Sequence, residues 1–129
     1  MRSLNQADIG DSELVAVLTA FVQFVAGFPD FVSAILFGSR ARTEHHSDSD
    51  ADVAVLLAGS AGEFDKTKFA LNDLAYAVLL DTGIRIQPLP VWQSEWDNPD
   101  AHSNSPVLRN IAKDGIYLDS LISGKPTQN

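Results

Sequence analysis

The stretch that most constrains this chain is Ala34-Ile-Leu-Phe-Gly-Ser-Arg-Ala-Arg-Thr-Glu-His-His-Ser-Asp-Ser-Asp-Ala-Asp-Val-Ala-Val-Leu-Leu57. Two apolar runs, 31–37 and 53–57, bracket a glycine-serine turn, an arginine-containing loop and three aspartates at alternate positions. Each run is short and rich in Val, Ile and Phe, which predicts a buried strand. If the second strand begins near the aspartates, Asp48, Asp50 and Asp52 project from one face, because strand side chains alternate with period two. Carboxylates this close repel one another unless a cation neutralises them. Hard oxygen donors suit Mg2+ or Mn2+.

Gly38-Ser39 ends the first run. Glycine permits a tight turn and close backbone approach, while Ser39 can cap a short helix whose free amides face an anion. Arg40 and Arg42 follow at once, and a planar guanidinium contacts phosphate oxygens in pairs. Phosphate at the turn and a divalent ion at the aspartates make this a candidate metal-nucleotide site, with Gly38, Ser39, Arg40, Arg42 and Ser49 on the nucleotide and Asp50 and Asp52 on the metal.

Gly38-Ser39, ten intervening residues and Asp50-x-Asp52 resemble the signature of the DNA polymerase beta-type nucleotidyltransferases. The fuller string Gly-Ser-Arg-Ala-Arg with Ser-Asp-Ser-Asp-x-Asp is similar to the minimal nucleotidyltransferase branch, whose members often act as antitoxin to a HEPN-domain partner. The resemblance implies an α/β (α+β) fold: a small mixed β-sheet covered by helices. It also implies Mg-dependent transfer of AMP from ATP to a hydroxyl, with a tyrosine of a HEPN protein as acceptor and Asp50 and Asp52 as catalytic residues. Aminoglycoside-type acceptors usually call for extra substrate-binding elements that this length does not supply.

At 129 residues the chain is expected to form one domain over 1–129, with 1–10 and 120–129 as loose tails and one layer of helices on the sheet. Seventeen acidic against 9 basic residues give a net charge of −8, which argues against nucleic acid as the main ligand. Cysteine is absent, so neither a disulfide framework nor a thiolate metal site is available. No apolar run reaches membrane-spanning length and the N-terminus lacks a signal-peptide hydrophobic region, leaving cytoplasmic as the default location.

Apolar periodicity predicts a helix from Asp11 or Ser12 to about Ala26, with Leu14, Val15, Leu18, Phe21, Val22 and Val25 inward. A second helix is expected from about Phe64 to Leu80, burying Phe69, Leu71, Leu74, Ala75, Val78 and Leu79, with Lys66 and Lys68 on its solvated face and Asp81-Thr-Gly83 as its stop. Ile84 to Val91 reads as a strand whose Pro88 and Pro90 imply a sheet edge. Ser105 and Pro106 open a last helix with Leu108 and Ile111 inward and Gly115 as stop; 116–118 reads as a short strand or a docking segment. Trp92 and Trp96 suit either a partner interface or a cover for the core. His45 and His46 read as exposed loop residues rather than ligands.

One position departs from the family pattern. Complete relatives supply a third carboxylate from the strand after the second helix, where this chain offers Arg85 or Gln87. Neither serves as a general base at neutral pH. Two further readings therefore stand beside the enzyme: an antitoxin acting by stoichiometric contact, or a nucleotide-sensing subunit. Homo- and hetero-oligomers are both left open.

Overall fold

The computed structural model describes residues 2–3, 12–38, 41, 50–60, 62–102 and 105–121. Five strands form one sheet in the order β1-β5-β2-β3-β4, with β1 at Arg2–Ser3, β2 at Phe31–Phe37, β3 at Ala51–Leu57, β4 at Ile86–Trp92 and β5 at Ile116–Tyr117. The helices are α1 (Ser12–Val25), α2 (Phe64–Thr82), α3 (Gln93–Asp97) and α4 (Ser105–Asp114). The sheet is mixed. β2 runs antiparallel to β3 and β5, while β3 and β4 are parallel and need the long α2 crossover between them.

Strand alternation sorts the apolar side chains onto two faces. On one, Ala34 and Leu36 of β2, Val53 and Val55 of β3 and Ile86 of β4 pack with Leu14, Leu18 and Phe21 of α1 and Leu71, Ala75 and Val78 of α2. On the other, Ile35, Ala54, Leu56 and Val91 pack with Leu108 and Ile111 of α4. The single helical layer expected from chain length is thus corrected to helices on both faces. The reason lies in β3, whose sequence ADVAVLL is apolar on both sides after Asp52 and requires cover on both.

Helix α1 begins and ends within one residue of expectation, and its six periodic apolar residues are buried. Helix α2 stops at Gly83, which takes φ 80° and donates its N–H to Leu79 O at 2.8 Å. Phe69 corrects the expected burial pattern, since it lies 69% exposed. At about 100° per residue it falls roughly opposite the Leu71–Ala75–Val78 face, so the helix is apolar on two sides. Arg2–Ser3, inside the expected lead-in, pairs with β5. The C-terminal turn Asp119–Leu121 is tied to β2: the buried Ser33 hydroxyl donates to Asp119 Oδ1 at 2.9 Å, and the Ala34 N–H to the same oxygen at 3.4 Å.

β4 is a sheet edge, as its prolines imply. Ala51 N–H donates to Arg85 O at 3.0 Å, so alternate residues from 85 aim their backbone groups at β3 while Pro88 and Pro90 aim theirs outward, where a missing amide costs the ladder nothing. Trp92 is buried in the main core and Trp96 packs on the second cluster, so both tryptophans cover the core. Among the described residues, no helix is long and apolar enough to cross a membrane.

Candidate active site

The site forms where β2 ends and β3 begins. Phe37, the last residue of β2, is the cross-strand partner of Asp52, so the following Gly38 turns over the Asp52 side chain. Gly38 has φ 75°, a conformation that favours glycine, and its carbonyl accepts the Ala41 N–H at 3.1 Å to close the turn. A Cβ at position 38 would run into Asp52 Oδ2, closer than real Cβ atoms come to any neighbour. Glycine suits the backbone here, and any larger residue would have to displace the Asp52 carboxylate from where it now lies.

Asp52 projects on the α4 face of β3, in step with Ala54 and Leu56. Asp50, two residues earlier, also stands on that side. The parallel register places Gln87 of β4 directly beside Asp52, and the Gln87 amide Nε2 donates to Asp50 Oδ2 at 2.8 Å. Of the two candidates for the third carboxylate's position, Gln87 is the residue that reaches the aspartates, and it meets them as a hydrogen-bond donor. A strand residue beside two carboxylates has an amide where a third carboxylate would complete a metal site.

A cleft of about 510 Å³ opens from Asp52 across the β4 edge, lined by Phe37, Phe64, Lys68, Leu89 and His102. Lys68 corrects its expected place on a solvated face. Its Nζ donates to Pro88 O at 2.6 Å, and burial lowers its pKa. The ammonium has three donors, so two remain for a ligand in the cleft. His102 is buried, with Nε2 3.9 Å from Glu95 Oε2, while the other Glu95 oxygen accepts the Trp92 N–H at 3.0 Å. Nothing local in the sequence pointed to either residue. Lys68 looks like one more exposed helix cation, and His102 stands alone between a proline-containing turn and the next helix.

Ser39, Arg40, Arg42, Ser49, His45, His46 and Asp48 lie outside the described residues. Of the remaining candidates, Gly38 lies against Asp52, and Asp50 stands two residues before it with its carboxylate on Gln87. Among the described residues no group of three or more histidines or carboxylates surrounds a common point. Two adjacent carboxylates nevertheless fit the way Mg2+ is usually held, by one or two carboxylates with the remaining positions taken by water and nucleotide phosphate. The donor set is hard oxygen throughout, as Mg2+ or Mn2+ requires.

Residues 21–89, more than half of the chain, match the model of the polymerase beta nucleotidyltransferase family. The fold resembles that of a candidate nucleotidyltransferase from Sulfolobus solfataricus, with TM-score 0.58, 20% identity and 85% of each chain covered. It also resembles a toxin-antitoxin complex solved with AMP-PNP, with TM-score 0.54 and 17% identity over 84% of this chain and 73% of the other. A mutant of the toxin-antitoxin pair MntA-HpeT aligns with TM-score 0.51 and 17% identity over 90% of this chain and 72% of the other. No curated protein sequence matches the chain.

Proposed function

The chain belongs to the polymerase beta-type nucleotidyltransferase family, and we propose that it transfers AMP from ATP to a hydroxyl of a protein acceptor, a HEPN-domain toxin that it neutralises as antitoxin. One observation carries the reading: the Gly38 turn folds directly over Asp52, with Asp50 on the same strand face and an open cleft alongside. Asp50 and Asp52 would hold Mg2+ or Mn2+, which supplies charge neutralisation on the phosphate oxygens. The acceptor oxygen attacks the α-phosphorus in line, the α–β bridging P–O bond breaks, and pyrophosphate leaves. Lys68 places a positive charge in the cleft that opens from Asp52, on a chain whose net charge of −8 would repel a polyphosphate. Two solved relatives that share the fold are toxin-antitoxin complexes, one of them with AMP-PNP, and this supports a nucleotide and a protein as ligands.

Gln87 favours a second reading, an antitoxin that neutralises by stoichiometric contact. An amide cannot take the acceptor's proton at neutral pH, so the step that a third carboxylate would assist is left to Asp50 and Asp52. Co-expression with the HEPN protein separates the two. For an enzyme, Asp50→Asn/Asp52→Asn abolishes neutralisation, and the intact mass of the partner loses an AMP adduct present with the native chain. For a stoichiometric binder the variant neutralises as well as the native chain and no adduct appears in either.

A further inference from the structure

Helix α2 carries a second apolar face that the fold does not use. Phe69, Tyr76 and Leu80 are 69%, 57% and 71% exposed. At about 100° per residue they fall within an arc of roughly 40°, on the side of the helix away from Leu71, Ala75 and Val78. Scattered exposed hydrophobics are ordinary, but three aligned on one helix over three turns form a patch. Asp65 and Asp73, both exposed, stand on the same side of the helix. Between this stripe and the start of β4 runs a groove of about 360 Å³, lined by Phe69, Asp73, Tyr76, Leu79, Arg85 and Gln87. Its far end is Gln87, whose amide is bonded to Asp50. The stripe and the aspartate site are therefore joined by one continuous surface.

We propose that this α2 face is the docking surface for the acceptor protein, and that the acceptor presents a helix with an apolar stripe flanked by lysine or arginine. The assignment rests on the protein-acceptor reading above. Charge complementarity supplies the partner's chemistry, since Asp65 and Asp73 border the stripe with Lys66 beside them and Arg85 at the β4 end of the groove, on a chain of net charge −8 that leaves the surface acidic in balance. Continuity with the site supplies the geometry: a partner lying in the groove reaches Gln87, which also lines the cleft beside Asp52 and is bonded to Asp50. An amphipathic helix in a groove, anchored by a few aromatic and aliphatic contacts, is a common recognition mode.

The test measures affinity for the HEPN protein by titration calorimetry, using the native chain, Phe69→Ser/Tyr76→Ser/Leu80→Ser and Asp65→Lys/Asp73→Lys. Binding of AMP-PNP with Mg2+ and thermal midpoint serve as controls, since all five side chains are exposed and lie outside the core. The serine variant is expected to lose about 30-fold or more in affinity for the HEPN protein, the scale of hot-spot truncation, with nucleotide binding unchanged. The lysine variant is expected to bind more weakly and to lose the salt dependence of the native complex. A serine variant that binds the HEPN protein as tightly as the native chain overturns the docking surface and leaves the proposed reaction standing. A native chain that itself fails to bind the HEPN protein removes the acceptor assignment, and with it this occupant of the surface. Concentration-dependent self-association of the native chain that the serine variant abolishes would assign the face to a second copy of this chain and overturn the proposal.

Discussion

Replacing Gln87 by glutamate places a third carboxylate beside Asp50 and Asp52, and the structure sets the sign of the result. The native Gln87 amide donates to Asp50 Oδ2 at 2.8 Å. In Gln87→Glu that hydrogen bond to a charged group is lost, which costs about 1.5 kcal/mol, near the lower end for charged pairs because residue 87 is exposed. A like charge beside Asp50 and Asp52 adds a repulsion on the order of 0.5–1 kcal/mol at a solvated site. Together these give roughly 2 kcal/mol, and at about 4 °C per kcal/mol for a chain of this size the metal-free midpoint falls by roughly 8 °C. A divalent ion reverses the sign. Three carboxylates bind Mg2+ or Mn2+ more tightly than two, and a ligand present at about 100 times its dissociation constant stabilises by about 2.7 kcal/mol. Differential scanning fluorimetry in EDTA and then in millimolar Mn2+ should show the variant below the native chain without metal and level with or above it with metal. Gln87→Met, which loses the bond without adding charge, should show a small deficit independent of metal. A Gln87→Glu deficit of the same size in EDTA and in Mn2+ would mean that residue 87 does not face the metal position, and the reading of the site would fail with it.

Other perturbations follow from the same contacts. Gly38→Ala forces a Cβ against Asp52 Oδ2 at a positive φ; it should cost about 1–2 kcal/mol of stability from the backbone alone, while nucleotide transfer falls far more steeply than the thermal midpoint does. Asp119→Ala leaves the buried Ser33 hydroxyl without this acceptor, so a loss of about 1–3 kcal/mol is expected in urea melts, recovered in part in Ser33→Ala/Asp119→Ala, where the Ala34 N–H still lacks the Asp119 oxygen. Burial lowers the Lys68 pKa, so the unfolded chain holds that proton at pH values where the folded chain has released it. Between the lowered folded value and the ordinary 10.5, native stability relative to Lys68→Met should rise with pH, flattening on both sides of that window. Urea melts of the two proteins across that range would show no relative trend if Lys68 were fully solvated.

Much of the fold was legible where one apolar periodicity dominates. The α1 face repeats at helical spacing, and the strands flanking the glycine turn are short Val/Ile/Phe-rich runs. The Pro88 and Pro90 edge could be read because proline cannot donate to a ladder. Phe69 was misplaced because α2 is apolar on two sides, and periodicity alone does not say which side meets the sheet. The second helical layer was missed for a related reason. A run such as ADVAVLL signals burial without saying whether one face or both are covered, and only the packing of α4 against Ala54 and Leu56 decides it.

Within the site, Gly38, Asp50 and Asp52 are close in sequence and their convergence follows from local geometry. Gln87 was half legible: the absence of a carboxylate on β4 could be seen, but choosing it over Arg85 required the β3–β4 register. Lys68 and His102 could not be read at all. They reach the cleft through tertiary packing across the β4 edge, which leaves no trace in local spacing.

The most direct test of nucleotidyl transfer follows the label from ATP marked at the α-phosphate, and separately at the γ-phosphate, in the presence of Mg2+ or Mn2+ and the HEPN protein. With the native chain α-label is expected on the acceptor and γ-label is not, and both labels stay free with Asp50→Asn/Asp52→Asn. No α-label on the acceptor with either protein, while complex formation persists in both, would contradict catalysis and leave a binding protein built on a nucleotidyltransferase fold.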